Sequence, residues 1–215
     1  MKKYLFFLLW IFQMTLYAQK QDEAIILEDK EIVYSKPSIK SKIEFTLHKN
    51  EVFLIIEDNS DWVEIEINSD KLSKNHNNIT GFISKSKIHL VDNLQIDSSE
   101  DVSLSFRIVK VDLSRGNIGN KKYGIKILDS SFSIEKMFLK WKDKLIEQDQ
   151  KFFNDIYNIS FEEGNYPNAI NDKFSIYKSD DVYFIKQKCG DGAGFYEITW
   201  VVKDGKIIQR VIDEI

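Results

Sequence analysis

Residues 133–158 read SIEKMFLKWKDKLIEQDQKFFNDIYN. How this segment folds settles what the second half of the chain is. Ile134, Met137, Phe138, Trp141, Leu145, Phe152 and Ile156 recur at steps of three and four, with a weaker stretch at 147–150. That spacing puts apolar side chains on one face of a helix. Ser133 is a suitable N-cap, and Glu135 favours the positive end of a helix dipole. The pattern predicts an amphipathic helix of about six or seven turns, at the usual 3.6-residue pitch. It ends near Asn158, where Gly164 and Pro167 mark a loop.

The flanks of this segment alternate. VSLSFRIVKVDL, from Val102, reads as a long strand. A glycine-containing turn and the returning strand YGIKIL follow, which together predict a hairpin. Beyond the helix, four strands are expected at 174–178, 182–188, 195–203 and 206–212. Asp204-Gly205 is a tight-hairpin signal between the last two. Residues 104–215 therefore predict an α+β domain, with one long helix across an antiparallel sheet.

The first half is different. Short strands are expected at 25–27, 31–34, 45–47, 51–57 and 62–67, separated mostly by the turns KPSIKSK, HKN and DNSD. Val52, Leu54 and Ile56 share one face of a period-two pattern, as do Val63, Ile65 and Ile67. Such closely spaced strands suggest a small barrel or sandwich over residues 22–91. An asparagine-rich loop at 69–80 and a closing strand from Gly81 complete it. Residues 92–103, DNLQIDSSEDVS, are acidic and serine-rich and read as a linker.

The order of turns in this half resembles the bacterial SH3-like (SH3b) family. The residues that carry the likeness are Ser35-Lys36-Pro37-Ser38, Leu47 ahead of Lys49-Asn50-Glu51, Asp61-Trp62-Val63-Glu64-Ile65, and Gly81-Phe82-Ile83. The resemblance covers roughly residues 25–91 and implies a small all-β SH3-like barrel that binds peptides in an aromatic groove. Tyr34 stands where asparagine or arginine is usual, Phe82 where tryptophan is common, and the loop at 69–80 is long. The groove residues implied here are Tyr34, Trp62 and Phe82. On the residues alone, Trp62 and Phe82 either line such a groove or fill the core of a small barrel. The run Asp191-Gly192-Ala193-Gly194 with Tyr196, Trp200, Gly205-Lys206 and Arg210 resembles uncharacterised exported bacterial proteins, a likeness that brings no activity with it.

The N-terminus supplies an address. Lys2 and Lys3 precede the apolar run Tyr4 to Phe12, and Leu16-Tyr17-Ala18 offers a cleavage site. The run is too short to span a bilayer, so residues 1–18 predict a signal peptide, with a retained anchor as the alternative. Cleavage removes two lysines and takes the net charge from −4 to −6. An acidic chain without a basic run argues against nucleic-acid binding. The chain is thus expected to be exported, periplasmic or secreted, with no membrane span after cleavage. Cys189 is the only cysteine, so no internal disulfide forms.

Candidate chemistry is thin. The glycines at 190–194 precede a strand rather than a helix, so they do not read as a phosphate loop. Asp191 at the tip is the residue of that turn to test. Cys189 shares its half with no histidine, since His48, His76 and His89 all lie before residue 92. No metal-ligand spacing is present, and no cofactor is expected. These observations favour a non-enzymatic envelope protein with no catalytic residues, whose SH3-like domain binds cell-wall peptide or an envelope protein. The alternatives are a cell-wall hydrolase using the second domain, and an inhibitor or immunity-type protein.

Overall fold

The segment at 133–158 is not a helix. In the computed structural model of the chain it forms strand β10 (Ser130–Trp141), a two-residue turn at Lys142-Asp143, strand β11 (Lys144–Glu147) and a short 3₁₀ turn at Gln150–Phe152. The helical period has a specific origin. β10 pairs with β9 (Val102–Asp112), and the register shifts between Ile134 and Lys136, so Glu135 is an extra residue in the ladder. The bulge resets the inward phase. Ile134 and Met137 are both buried three apart, and Leu139 follows at the ordinary step of two. The step of four from Trp141 to Leu145 spans the hairpin, where Lys142 takes a left-handed φ of 56°. Leu145 pairs with Lys140 and is 66% exposed, whereas Ile146 pairs with the buried Leu139. The bulge alone gives a step of three between inward residues; the step of four joins opposite faces of the hairpin and only imitates a helix face.

The structure describes residues 21–59, 61–67, 79–112, 130–157, 159, 168–170, 174–189 and 196–214. Strands make up 67% of them, and no helix reaches seven residues. The expected signal peptide, most of the 69–80 loop, the YGIKIL strand and the glycine run at 190–194 lie outside the described residues. Along its whole length β9 pairs with β10.

The first sheet contains β1 (Asp22–Ile25), β2 (Lys30–Tyr34), β3 (Ile43–His48), β4 (Phe53–Asn59), β5 (Trp62–Ile67), β6 (Ile79–Ser84) and β7 (His89–Leu90). Its order is β3-β2-β6-β5-β4-β1-β7. Expected strand positions match within a few residues, but the expected closed barrel does not form: β3 and β7 remain as edges. One face carries Ala24, Val33, Leu47, Phe53, Val63, Ile65 and Ile83, all at most 1% exposed. The cluster draws only on this half of the chain, so the sheet curls over its own side chains without closing. Register shifts between Val33 and Tyr34 and between Ile55 and Glu57 bend the strands. Gly81 permits the close approach of β2 to β6: a Cβ there would lie 2.6 Å from Val33 Cγ1 and 3.0 Å from the Tyr34 carbonyl oxygen.

The second half holds two more sheets. β9 and β10 join β11 and β12 (Asn168–Ile170) in the order β11-β10-β9-β12. The four-strand meander β13 (Phe174–Ser179), β14 (Val182–Cys189), β15 (Tyr196–Lys203) and β16 (Lys206–Glu214) is as expected, including the Asp204-Gly205 turn with both φ values positive. β8 (Gln95–Ile96), within the stretch expected as a linker, pairs with β13 and completes a five-stranded sheet. Among the described residues no long helix covers this sheet, which corrects the α+β expectation. Leu104, Phe106, Met137 and Leu139 of the four-stranded sheet pack instead on Ile185, Ile198, Trp200 and Val202. On the opposite face, Val182, Phe184, Val201 and Val211 pack against Ile25, Val52, Leu54 and Val91 from the first half. The five-stranded sheet is therefore the middle layer of three.

Polar groups tie the first two layers together. The Gln209 side chain accepts from the Val52 N–H at 2.9 Å and donates to the Val52 carbonyl at 2.7 Å, acting as a one-residue extension of the ladder. Lys186 Nζ lies 3.1 Å from Glu23 Oε2, 3.2 Å from Glu197 Oε1 and 2.7 Å from Asp92 Oδ1. Thr199 Oγ1 donates to Glu23 Oε2 at 2.6 Å.

Candidate functional site

Tyr34, Trp62 and Phe82 converge. β5 turns Val63, Ile65 and Ile67 into the core, so Trp62, Glu64 and Glu66 stand on its other face. β6 does the same with Ile83 inward and Phe82 outward. All three aromatic residues are half-buried and stand outside the core cluster. Trp62 and Phe82 stand on the face of the sheet opposite the core cluster. Tyr34 and Trp62 meet edge to face, with ring centroids 5.9 Å apart.

The registers align a single row across five strands. Ile43 pairs with Tyr34, Tyr34 with Phe82, Phe82 with Glu64, and Glu64 with Glu57. Directly paired residues share a face, so the row reads apolar, aromatic, aromatic, acidic, acidic. At the usual inter-strand spacing of about 4.8 Å it spans roughly 19 Å. Ile43 is 53% exposed at one end. Among the described residues no cation is ion-paired with Glu57 or Glu64. Lys85, nearby in sequence to β6, is 2.6 Å from Asp58. Such a face can take an extended peptide by ring contact at one end and charge at the other.

The carboxylate half of the row was missed at the sequence level, although its signal was present. Trp62-Val63-Glu64 in a strand puts the first and third residues on one face. The pairing of Glu64 with Glu57 needs the bulge at Ile55–Glu57 and cannot be read from one strand.

Other candidates fall elsewhere. Cys189 is fully buried in the largest core, its sulfur 4.0 Å from the Gln187 carbonyl oxygen, which is the setting of a structural thiol. His48 and His89 lie at exposed positions of the first sheet, and His76 and Asp191 lie outside the described residues. Among the described residues no group of three or more His, Cys, Asp or Glu is placed to hold a metal. A polar cleft of about 380 Å³ opens beside Lys186, lined by Asp92, Tyr177, Lys188 and Glu197 among others. Its ammonium is already committed to three carboxylates. Burial pushes the Glu23 carboxyl above its ordinary range, and the nearby Lys186 only partly offsets this. Burial opposes the Lys186 charge, but Glu23, Asp92 and Glu197 outweigh it and raise the ammonium pKa. This cluster joins two layers rather than facing a ligand.

No family model matches the chain, and comparisons with curated proteins and solved structures find no match either. No helix among the described residues is long and apolar enough to cross a membrane.

Proposed function

We propose that this is an exported, non-enzymatic envelope protein that binds peptide segments, of the cell wall or of another envelope protein, on the outer face of β2, β5 and β6. The observation that carries the reading is the convergence of Tyr34, Trp62 and Phe82 on one surface face, away from the core. The signal-peptide pattern at 1–18 and the SH3-like order of turns support the address and the mode of binding. The burial of Cys189 supports a binding role over thiol catalysis, and the covering of the five-stranded sheet on both faces disfavours an inhibitor surface there. Retention of the purified protein on purified peptidoglycan, and on immobilised peptides, is the test. Trp62→Ala is expected to abolish retention. Retention on neither support, or retention unaffected by Trp62→Ala, overturns the proposal.

A further inference from the structure

The row across the first sheet has two chemically distinct halves, and only the aromatic half is explained by apolar contact. Glu64 and Glu57 are directly opposed in adjacent strands. Like charges in that position repel and destabilise a sheet. Glu57 is exposed and Glu64 half-buried, and neither is ion-paired among the described residues. Phe82 is the direct neighbour of Glu64 on the other side, and Trp62 shares its face two residues away. Two carboxylates beside two rings form a place where a cation is stabilised twice, by charge and by the negative ring faces.

We infer that the peptide bound on this face carries a basic side chain, seated between Glu57, Glu64 and the Phe82 and Trp62 rings, with an apolar residue three positions away on Tyr34 and Ile43. The inference rests on the proposed peptide-binding role of the face and names the ligand chemistry. The spacing follows from the row. Glu64 to Tyr34 is two inter-strand steps, roughly 10 Å at about 4.8 Å each. An extended peptide advances about 3.1–3.4 Å per residue, so side chains three positions apart match that span. Arginine fits better than lysine. Its planar fork bridges two carboxylates while its face stacks on a ring, and it sheds water more readily than an ammonium.

The test uses the purified protein and three acetylated, amidated peptides: Gly-Arg-Gly-Gly-Leu-Gly, the same peptide with citrulline for arginine, and the same with lysine. Citrulline keeps the shape and removes the charge. Binding is followed by NMR titration. The arginine peptide is expected to bind about three- to tenfold more tightly than the citrulline peptide, the range that one ion pair with a cation–π contact supplies. Lysine is expected between them. Glu64→Gln is expected to cost the arginine peptide the same factor and to leave the citrulline peptide unchanged. Glu64→Gln also relieves the repulsion with Glu57, so its thermal midpoint is expected to equal or exceed that of the parent. Equal affinity for the arginine and citrulline peptides, or an arginine affinity untouched by Glu64→Gln, overturns the inference. If Trp62→Ala abolishes binding of all three peptides while Glu64→Gln changes none, the peptide-binding face stands and the basic-ligand inference falls. If Trp62→Ala changes nothing, both fall.

Discussion

The Lys186 ammonium lies 3.1 Å from the Glu23 carboxylate, with the two side chains 6% and 2% exposed. One stands in the middle sheet and the other in β1, so this buried pair clasps two layers. Its energetics follow from burial rather than from attraction alone. Removing one partner of a buried pair leaves an uncompensated charge, which costs about 3–5 kcal/mol. Lys186→Met is therefore expected to lower stability by that amount, measured by urea unfolding. Adding Glu23→Gln and Glu197→Gln to Lys186→Met is expected to recover most of the loss, because no buried charge then lacks a partner. A silent Lys186→Met would show that the cluster does not hold the layers.

Glu23 also sets a pH dependence. Thr199, Lys186 and Glu197 face its carboxyl, and its pKa in the folded protein is raised above the ordinary 4.5 by burial. A carboxyl raised on folding binds its proton more tightly in the native state. Its contribution is complete below about pH 4.5 and is lost as the pH rises through the elevated value. Glu23→Gln mimics the protonated form. The stability of Glu23→Gln relative to the parent is expected to increase as pH rises from about 4 towards neutrality. A difference that is flat with pH would contradict this.

Gly81→Ala is expected to destabilise the first sheet by about 1–3 kcal/mol. Its Cβ would meet Val33 Cγ1 at 2.6 Å and the Tyr34 carbonyl at 3.0 Å, and the second contact is backbone that cannot rotate away. Pushing β2 from β6 also separates Tyr34 from Phe82, so peptide binding is expected to weaken alongside thermal stability. A variant with unchanged midpoint would show that β2 yields without cost.

Gly205→Ala places a side chain at φ 75°, 2.8 Å from Ile146 Cδ1 and 3.3 Å from Trp141 Cγ. The expected loss is about 1–2 kcal/mol from strain and crowding together. The Gln148 bonds to the Gly205 carbonyl and the Ile207 N–H, at 3.3 and 3.0 Å, lie at the same turn. Hydrogen exchange at Ile207 is expected to accelerate in the variant, which separates local loosening of this turn from global destabilisation.

Cys189 offers a direct check on burial. Its thiol is expected to react with an aromatic disulfide reagent only after unfolding, and Cys189→Ala is expected to leave peptide binding intact. Rapid labelling of the native protein would contradict the packing at this position.

Much of the strand pattern was legible in the sequence because alternation is a local signal. Val63, Ile65 and Ile67 declared the inner face of β5 by themselves, and by the same alternation placed Trp62 with Glu64 opposite. Asp204-Gly205 declared a tight turn because a two-residue hairpin needs positive φ at both positions. The segment at 133–158 misled because the extra residue at Glu135 makes a step of three between the buried Ile134 and Met137, while the step of four from Trp141 to Leu145 links opposite faces of a hairpin. A bulge is decided by the partner strand, here β9, which lies some twenty-five residues away across a span the local pattern cannot bridge.

The layering and the shape of the candidate site were decided by pairing between distant strands. β14 and β15 are buried on both faces because two other sheets cover them, and nothing in either strand names those sheets. The row from Ile43 to Glu57 draws on five strands whose order, β3-β2-β6-β5-β4, is not their order in the chain. Which residues are aromatic, acidic and outward-facing is written in each strand, because side chains alternate with a period of two. Which of them become neighbours depends on register, and register is set by long-range hydrogen bonding and packing between strands.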